Sequence, residues 1–367
     1  MKKSFLLVHL ALFSFGYSMI TFSLPPFFTY LGADQLFLGE YGFLLMLPNI
    51  ILPFFFSRIK NLDFVTKMII IASIMVDLST FIFFIENSFS VFLLIVLILG
   101  IGQFIWWITT EIFFTGISKG TNLINIYSIV WGISYFISPF LAGYLIPIIG
   151  YSLIFLISFL FILFSIISFI FSIKNEKYRS IEIQKLNNGG KILIESFLPS
   201  FATGLSIGIL FSIFPGFALH NGINVFELGI LDSAYSLTRL FGFLYLARIM
   251  DKKRLSLLMN ISFLVLLAII IPVLSMNFYI LMIMMLLIGL SSAFGISAPL
   301  IYISNISDAN ISKNIAFYEF SFGVSVSAFA LLFGYISQNV GVKIPYIIDF
   351  IVTLIIALIF IQYLRIN

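Results

Sequence analysis

The sequence has no cysteine and only two histidines, His9 and His220. Disulfides and thiolate metal sites are therefore excluded, and so few histidines argue against a His-based metal centre. Charge is scarce too: 9% of the 367 residues are Asp, Glu, Lys or Arg, against roughly a quarter in ordinary globular domains. The net balance of +4 is spread over many short segments and supplies no clustered basic face for nucleic acid. No Gly-x-x-x-x-Gly-Lys-Ser/Thr segment occurs, so no ATP-binding loop is present. Acidic residues occur singly and no long loop is available. The clustered acids or nucleophile–base pairs that a polytopic membrane enzyme needs are missing. No enzymatic activity and no cofactor are expected.

What is present is apolar: 61% of residues are hydrophobic, more than a water-soluble core could hide. Lipid must be the solvent over most of the chain. A spanning helix needs about 20 predominantly apolar residues. Apolar runs between polar breaks give twelve: 4–26, 39–57, 66–86, 89–115, 122–148, 151–173, 192–218, 228–249, 254–274, 277–303, 313–339 and 342–364. The first run follows Lys2 and Lys3, is too long for a signal h-region and has no cleavage site before Pro25-Pro26, so it reads as a retained helix. The charged stretch 174–191, ending Asn187-Asn188-Gly189-Gly190, reads as a linker between residues 1–173 and 192–367. With the N-terminus in the cytoplasm and one crossing per run, 17 of the 19 Lys and Arg residues fall inside. That bias supports a cell-membrane protein with both termini cytoplasmic.

The second half repeats the first. Leu38-Gly39 followed by Ser57-Arg58-Ile59 recurs 190 residues later as Leu228-Gly229 followed by Ala247-Arg248-Ile249. Gly132 and Gly143-Tyr144 recur as Gly323 and Gly334-Tyr335 at an offset of 191. Six runs per half is an even number, so the two bundles enter the membrane the same way up and form parallel repeats.

Six plus six helices, a cytoplasmic middle linker and basic loops after the second and eighth runs resemble the major facilitator superfamily, over essentially the whole chain. That resemblance implies an all-α fold of two six-helix bundles and transport by alternating access. The family's Gly-x-x-x-Asp-Arg-x-Gly-Arg-Lys loop is similar to Phe56-Ser57-Arg58-Ile59-Lys60 and to Ala247-Arg248-Ile249-Met250-Asp251-Lys252-Lys253-Arg254. The Arg and basic tail are kept; the glycines and first Asp are not. Arg58, Lys60, Arg248 and Asp251 are the implied gating residues. The fifth run, with Gly132, Ser134, Ser138-Pro139 and Ala142-Gly143, resembles the small-residue and proline pattern of family exporters. Pro139 and Gly143 are thus further gating candidates, and the pattern tilts the reading toward export. The Arg that the family usually carries a turn before Gly100-x-Gly102 is missing, so its proton-transfer role is absent or moved.

A charge at bilayer depth is expensive unless paired or facing water, so each one is a functional candidate. Arg239 lies near the middle of the eighth run, at the repeat position of Asn49, with Asp232 seven residues earlier and Tyr235 between. It is expected to fix an anionic group of the solute, to hold a salt bridge that breaks during the cycle, or to pair statically with Asp232 or Glu319. Glu319, Glu111 and Asp232 are the candidate coupling groups, because an unpaired carboxylate in low dielectric can carry a proton. Gly100, Gln103, Trp107 and Glu111 share one face of the fourth run. Gln103 and Trp107 are expected to line the cavity, with Asn49, Tyr17, Tyr235 and Arg239. Trp106 and Trp107 are alternatively interfacial anchors, His9 is expected at the interface, and Asp77 in a structural hydrogen bond. The polar stripes Ser14, Tyr17, Ser18, Thr21 and Ser196, Ser200, Thr203, Ser206 are read mainly as packing.

The expected function is secondary active transport of a small organic solute by a monomer in membrane lipid, coupled to protons. A uniporter without ion coupling, and a non-transporting sensor or scaffold of transporter ancestry, are the alternatives.

Overall fold

The computed structural model describes residues 3–56, 61–85, 88–117, 122–173, 194–249, 251–306 and 311–366. These residues are predominantly helical, and no strand occurs among them. The main helices are α1 (Lys3–Tyr30), α2 (Gln35–Met46), α3 (Leu62–Ile85), α4 (Phe89–Ile117), α5 (Asn122–Ile173), α6 (Ile194–Gly208), α7 (Val225–Leu246), α8 (Lys252–Leu266), α9 (Phe278–Ser292), α10 (Ile311–Asn339) and α11 (Ile344–Ile366). The expected linker and the loop residues Arg58 and Lys60 lie outside the described residues.

Nine helices among the described residues are long and apolar enough to cross a membrane, against the twelve runs read from the sequence. Three features account for the difference. α5 has 52 residues and is broken at Gly150, whose φ of 81° no helix permits. At 1.5 Å per residue it would be about 78 Å long if straight, more than twice a bilayer core. α2 stops after 12 residues and continues as one-turn pieces, Pro48–Ile51 and Pro53–Phe56, because proline removes a backbone donor and blocks the preceding turn. α7 carries Glu227, Asp232 and Arg239, which dilute its apolar character.

The repeat extends to the helix starts. Asp34 caps α2 by accepting from the backbone N–H of Phe37 at 2.8 Å. Asn224, 190 positions later, caps α7 by accepting from that of Glu227 at 2.9 Å, and Glu227 returns the bond. Each side chain satisfies a donor that the helix itself cannot.

The apolar interior falls into two clusters. One is built from residues between Leu6 and Phe169. The other runs from Ala202 to Phe360 and also takes in Met19, Phe22, Ala142, Ile146 and Ile154. The second half of α1 and the stretch of α5 on either side of Gly150 thus pack into the core of the other part of the chain.

Backbone contact between glycines makes that junction. A Cβ on Gly334 of α10 would lie 2.7 Å from the Cα of Gly39 of α2, and one on Gly143 of α5 would lie 3.0 Å from the Cα of Gly229 of α7. These are the repeated glycines: Gly39 corresponds to Gly229 and Gly143 to Gly334. Farther along the same antiparallel pairs, Gly323 meets Asn49, and Gly132 meets Leu240. Small residues let helices approach closely where lipid supplies no hydrophobic drive. Gly143→Leu should therefore lower thermal stability by an overpacking penalty of about 1–3 kcal/mol, read as Tm in detergent, whereas Tyr144→Ala at its exposed neighbour should change Tm little.

Candidate functional site

The site grows from the α5–α7 contact. Gly132 admits Leu240 against α5, and this brings Arg239 over Trp131. The guanidinium carbon lies 4.8 Å from the Trp131 ring centroid and 5.2 Å from that of Phe243. Trp131 in turn meets Tyr135 at 4.4 Å and, edge-on, Trp107 of α4 at 5.1 Å. Aromatic faces carry negative potential, so they stabilise a guanidinium without a formal counter-ion. Arg239 needs this support: its Nε is buried without a hydrogen-bond partner, and no described carboxylate pairs with it within 4.0 Å. The expected static pair with Asp232 or Glu319 is thus not formed. Tyr235 lies within electrostatic range of Arg239, and its hydroxyl donates to Ser292 Oγ at 2.8 Å.

Asp232 lies two turns from Arg239 on the same face of α7, within electrostatic range of Arg239, Tyr41 and Tyr135. It opens on a small cavity lined by Thr21, Phe22, Leu210, Phe211 and Met285. Tyr17 of α1 is within range of Tyr41 and Tyr135, so phenols from α1, α2, α5 and α7 converge around the pair. The cavity wall at Leu210 and Phe211 belongs to a π-helical turn, Ile209–Ile213, an irregularity often found where a helix serves a site.

Glu111 of α4 and Glu319 of α10 form a second group. The two lie within electrostatic range of each other, with Trp107 and Tyr127 beside Glu111 and Tyr318 within range of both. Tyr318 is within range of Arg239 as well, while its hydroxyl donates to Ile296 O at 2.8 Å. Glu111, Asp232, Arg239, Glu319, Gln103 and Trp107 are only half-buried, although all lie inside the bundle. Of these, Asp232 lines the small cavity beside Leu210 and Phe211. Gln103 Oε1 and Asn49 Oδ1 are buried acceptors without partners.

The gating candidates separate. Pro139 and Gly143 are at the α5–α7 junction, where Pro139 O and Gly143 face Gly229. Arg248 and Asp251 are exposed; Asp251 caps α8 and lies 3.9 Å from Arg254 at the surface, a kind of pair worth little.

Three expectations are corrected. His9 is not interfacial: it is fully buried, with Nδ1 3.0 Å from Ser165 O and its ring 4.6 Å from Phe169. Trp106 is no anchor either, being 2% exposed and stacked on Phe13 at 3.8 Å. Asp77 is buried, but its Oδ1 has no hydrogen-bond partner. Sequence reasoning missed Trp131, Tyr135 and Phe243. The spacing of Tyr127, Trp131 and Tyr135 on one helix face was the signal. It also missed Asp349 of α11, fully buried, which accepts from Ser206 at 2.6 Å and from Thr353 at 3.2 Å.

Residues 196–367 match the model of the Major Facilitator Superfamily. No curated protein matches the chain. Among solved structures, the nucleoside transporter NupG aligns over 97% of this chain and 98% of its own, with TM-score 0.74 and 15% identity. A POT family transporter in complex with 5-aminolevulinic acid aligns over 98% and 96%, with TM-score 0.76 and 14% identity. A bacterial homolog of the human lysosomal transporter Spinster, inward-facing and occupied, aligns over 99% and 97%, with TM-score 0.69 and 15% identity. The fold is what these share with the chain. The matched family and these neighbours are transporters, not enzymes.

Because Trp131 is both the platform for Arg239 and a buried side chain, Trp131→Ala should cost about 3 kcal/mol. Trp131→Phe, which keeps an aromatic face, should cost less than half of that, with both read as Tm.

Proposed function

From a chain whose second half matches the Major Facilitator Superfamily and whose whole length carries the fold of solved transporters, we propose a secondary active transporter. It moves a small organic solute across the cell membrane by alternating access. The observation that carries this reading is Arg239: a half-buried cation at membrane depth, on an aromatic platform and without a paired carboxylate. A charge left unpaired at that depth is kept for something that binds it.

In this reading the chain crosses twelve times, α5 counting twice and α2 and α7 once each, with residues 1–173 and 192–367 as parallel bundles. The bundles touch through the glycine pairs at the outer end, and both termini lie in the cytoplasm. The solved neighbours are, by their descriptions, a nucleoside transporter and a POT transporter with 5-aminolevulinic acid, which supports a solute of that size.

Glu111 and Glu319 belong to opposite bundles, and moving the bundles changes their separation. Two carboxylates brought close cannot both stay ionised, so a proton taken up by this pair would accompany closure of the inner end. Trp107 and Tyr127 face Glu111, and Tyr318 faces both acids. Pro139 and Gly143 fit a pivot on which the bundles rock; Arg58 and Lys60, with Arg248 and Asp251, fit a clamp on the inner side. The exporter-like pattern of α5 supports outward movement.

A thermal-shift screen against metabolites and drugs identifies the solute, since a binder stabilises the folded protein by mass action. In proteoliposomes that solute should accumulate or exchange, and a folded protein that binds without ever moving it removes the proposal. Arg239→Gln should reduce transport on the order of a hundredfold, the size of a lost 2–3 kcal/mol contact to a charge, with Tm nearly kept. Glu319→Gln should abolish accumulation driven by a pH gradient while leaving solute exchange; an unchanged pH response counts against coupling at the pair.

A further inference from the structure

Arg239 and Asp232 are opposite charges on one face of α7 that do not meet. Their backbone positions are about 10 Å apart along the helix, and no ion pair within 4.0 Å joins them. Both are half-buried, and Asp232 lines a small cavity. Opposite charges in a low-dielectric interior gain much by closing on each other, and here the framework prevents it. Trp131 and Phe243 hold the faces of the guanidinium, and the Tyr235 hydroxyl, within electrostatic range of it, is turned to Ser292. The other two acids form a group of their own: Glu111 lies beside Trp107 and within electrostatic range of Glu319.

The walls around the two charges are apolar or phenolic. Trp131, Tyr135 and Phe243 surround the basic end; Phe22, Leu210 and Phe211 surround the acidic end. We propose that this site takes a zwitterionic solute with its charges at the two ends of an apolar or planar body, the oxyanion on Arg239 and the ammonium on Asp232. Each end of the solute supplies the counter-ion that the protein withholds. A simple organic anion would leave Asp232 unmatched, and an amine would leave Arg239 unmatched; both are penalised relative to the zwitterion. The proposal rests on the transporter reading for its location and assigns Asp232 to the solute, not to coupling.

The test uses two matched sets of probes: 6-aminohexanoate with hexanoate and hexylamine, and 4-(aminomethyl)benzoate with 4-methylbenzoate and benzylamine. Binding to the full-length protein is read by Tm and by intrinsic fluorescence, because two of the three tryptophans, Trp107 and Trp131, are at the site. At least one zwitterion should bind about tenfold more tightly than either singly charged analogue of its set. Asp232→Asn should erase the preference over the acid, and Arg239→Gln the preference over the amine. Asp232→Glu, which keeps the charge, should retain the preference and shift it from 6-aminohexanoate toward 5-aminopentanoate, which guards against loss of binding through misfolding.

Equal binding of an acid and its zwitterion, or no zwitterion binding up to about 10 mM, overturns the proposal. So does a preference that survives Asp232→Asn. A third result would also overturn it: Tm losses for Asp232→Asn and Arg239→Gln that are far from additive in the double variant, which would make the two residues each other's partners. Zwitterions that bind with the expected pattern but never cross a proteoliposome would sink transport and leave the site's chemistry standing. A different solute transported without this pattern would do the reverse.

Discussion

Backbone contact between four glycines is the constraint on which this molecule depends. Gly39 against Gly334 and Gly143 against Gly229 bring two antiparallel helix pairs closer than any side chain allows. In lipid the apolar surfaces of two bundles gain little by leaving one solvent for another like it. Shape then decides the contact, and shape here means missing Cβ atoms. Because each pair joins one helix from each part of the chain, the same contact fixes where both parts sit. It also places Arg239 on Trp131, each one residue from the meeting of Leu240 with Gly132.

The interior chemistry follows from how that contact distributes charge. A guanidinium in a low-dielectric space needs either a carboxylate or a substitute. The aromatic floor of Trp131 and Phe243 is a weaker substitute than an ion pair, and the weakness has a use. A charge satisfied by a tight internal partner has little to offer a ligand, whereas one steadied by π faces and a phenol can bind an anion without first breaking a salt bridge. The acids are distributed in the same manner, Asp232 near the cation but not on it, and Glu111 opposite Glu319. Asp349 shows the contrast: with two hydroxyls donating to it and no exposure, it is a sealed structural group.

Much of this was legible before any coordinates. The offset of 190 to 191 residues predicted the paired helices, and the glycines that revealed it are the contact atoms themselves. Arg239, Glu111, Glu319 and Gln103 were found by one rule, that polarity at membrane depth needs a reason. The rule was applied unevenly, since Asp349 meets it as well as Arg239 does. His9 and Trp106 were misplaced because nearness to a helix end says nothing about which side of the helix is covered. The count of crossings was blurred where Gly150, Pro48 and Pro53 interrupt helices and where α7 carries charge.

The amino-acid sequence by itself determined that the chain is helical and apolar, that its two parts share a design, and which charges are out of place in lipid. Those are consequences of composition, period and spacing, which act locally along the chain. Only the tertiary structure decided what each charge faces. Whether Arg239 closed on Asp232, reached Glu319 or rested on Trp131 depended on where α5 lies against α7, and that was set by two glycines 86 residues apart, Gly143 and Gly229. Partnership in an interior is a matter of distances between helices that the sequence brings together only once it is folded.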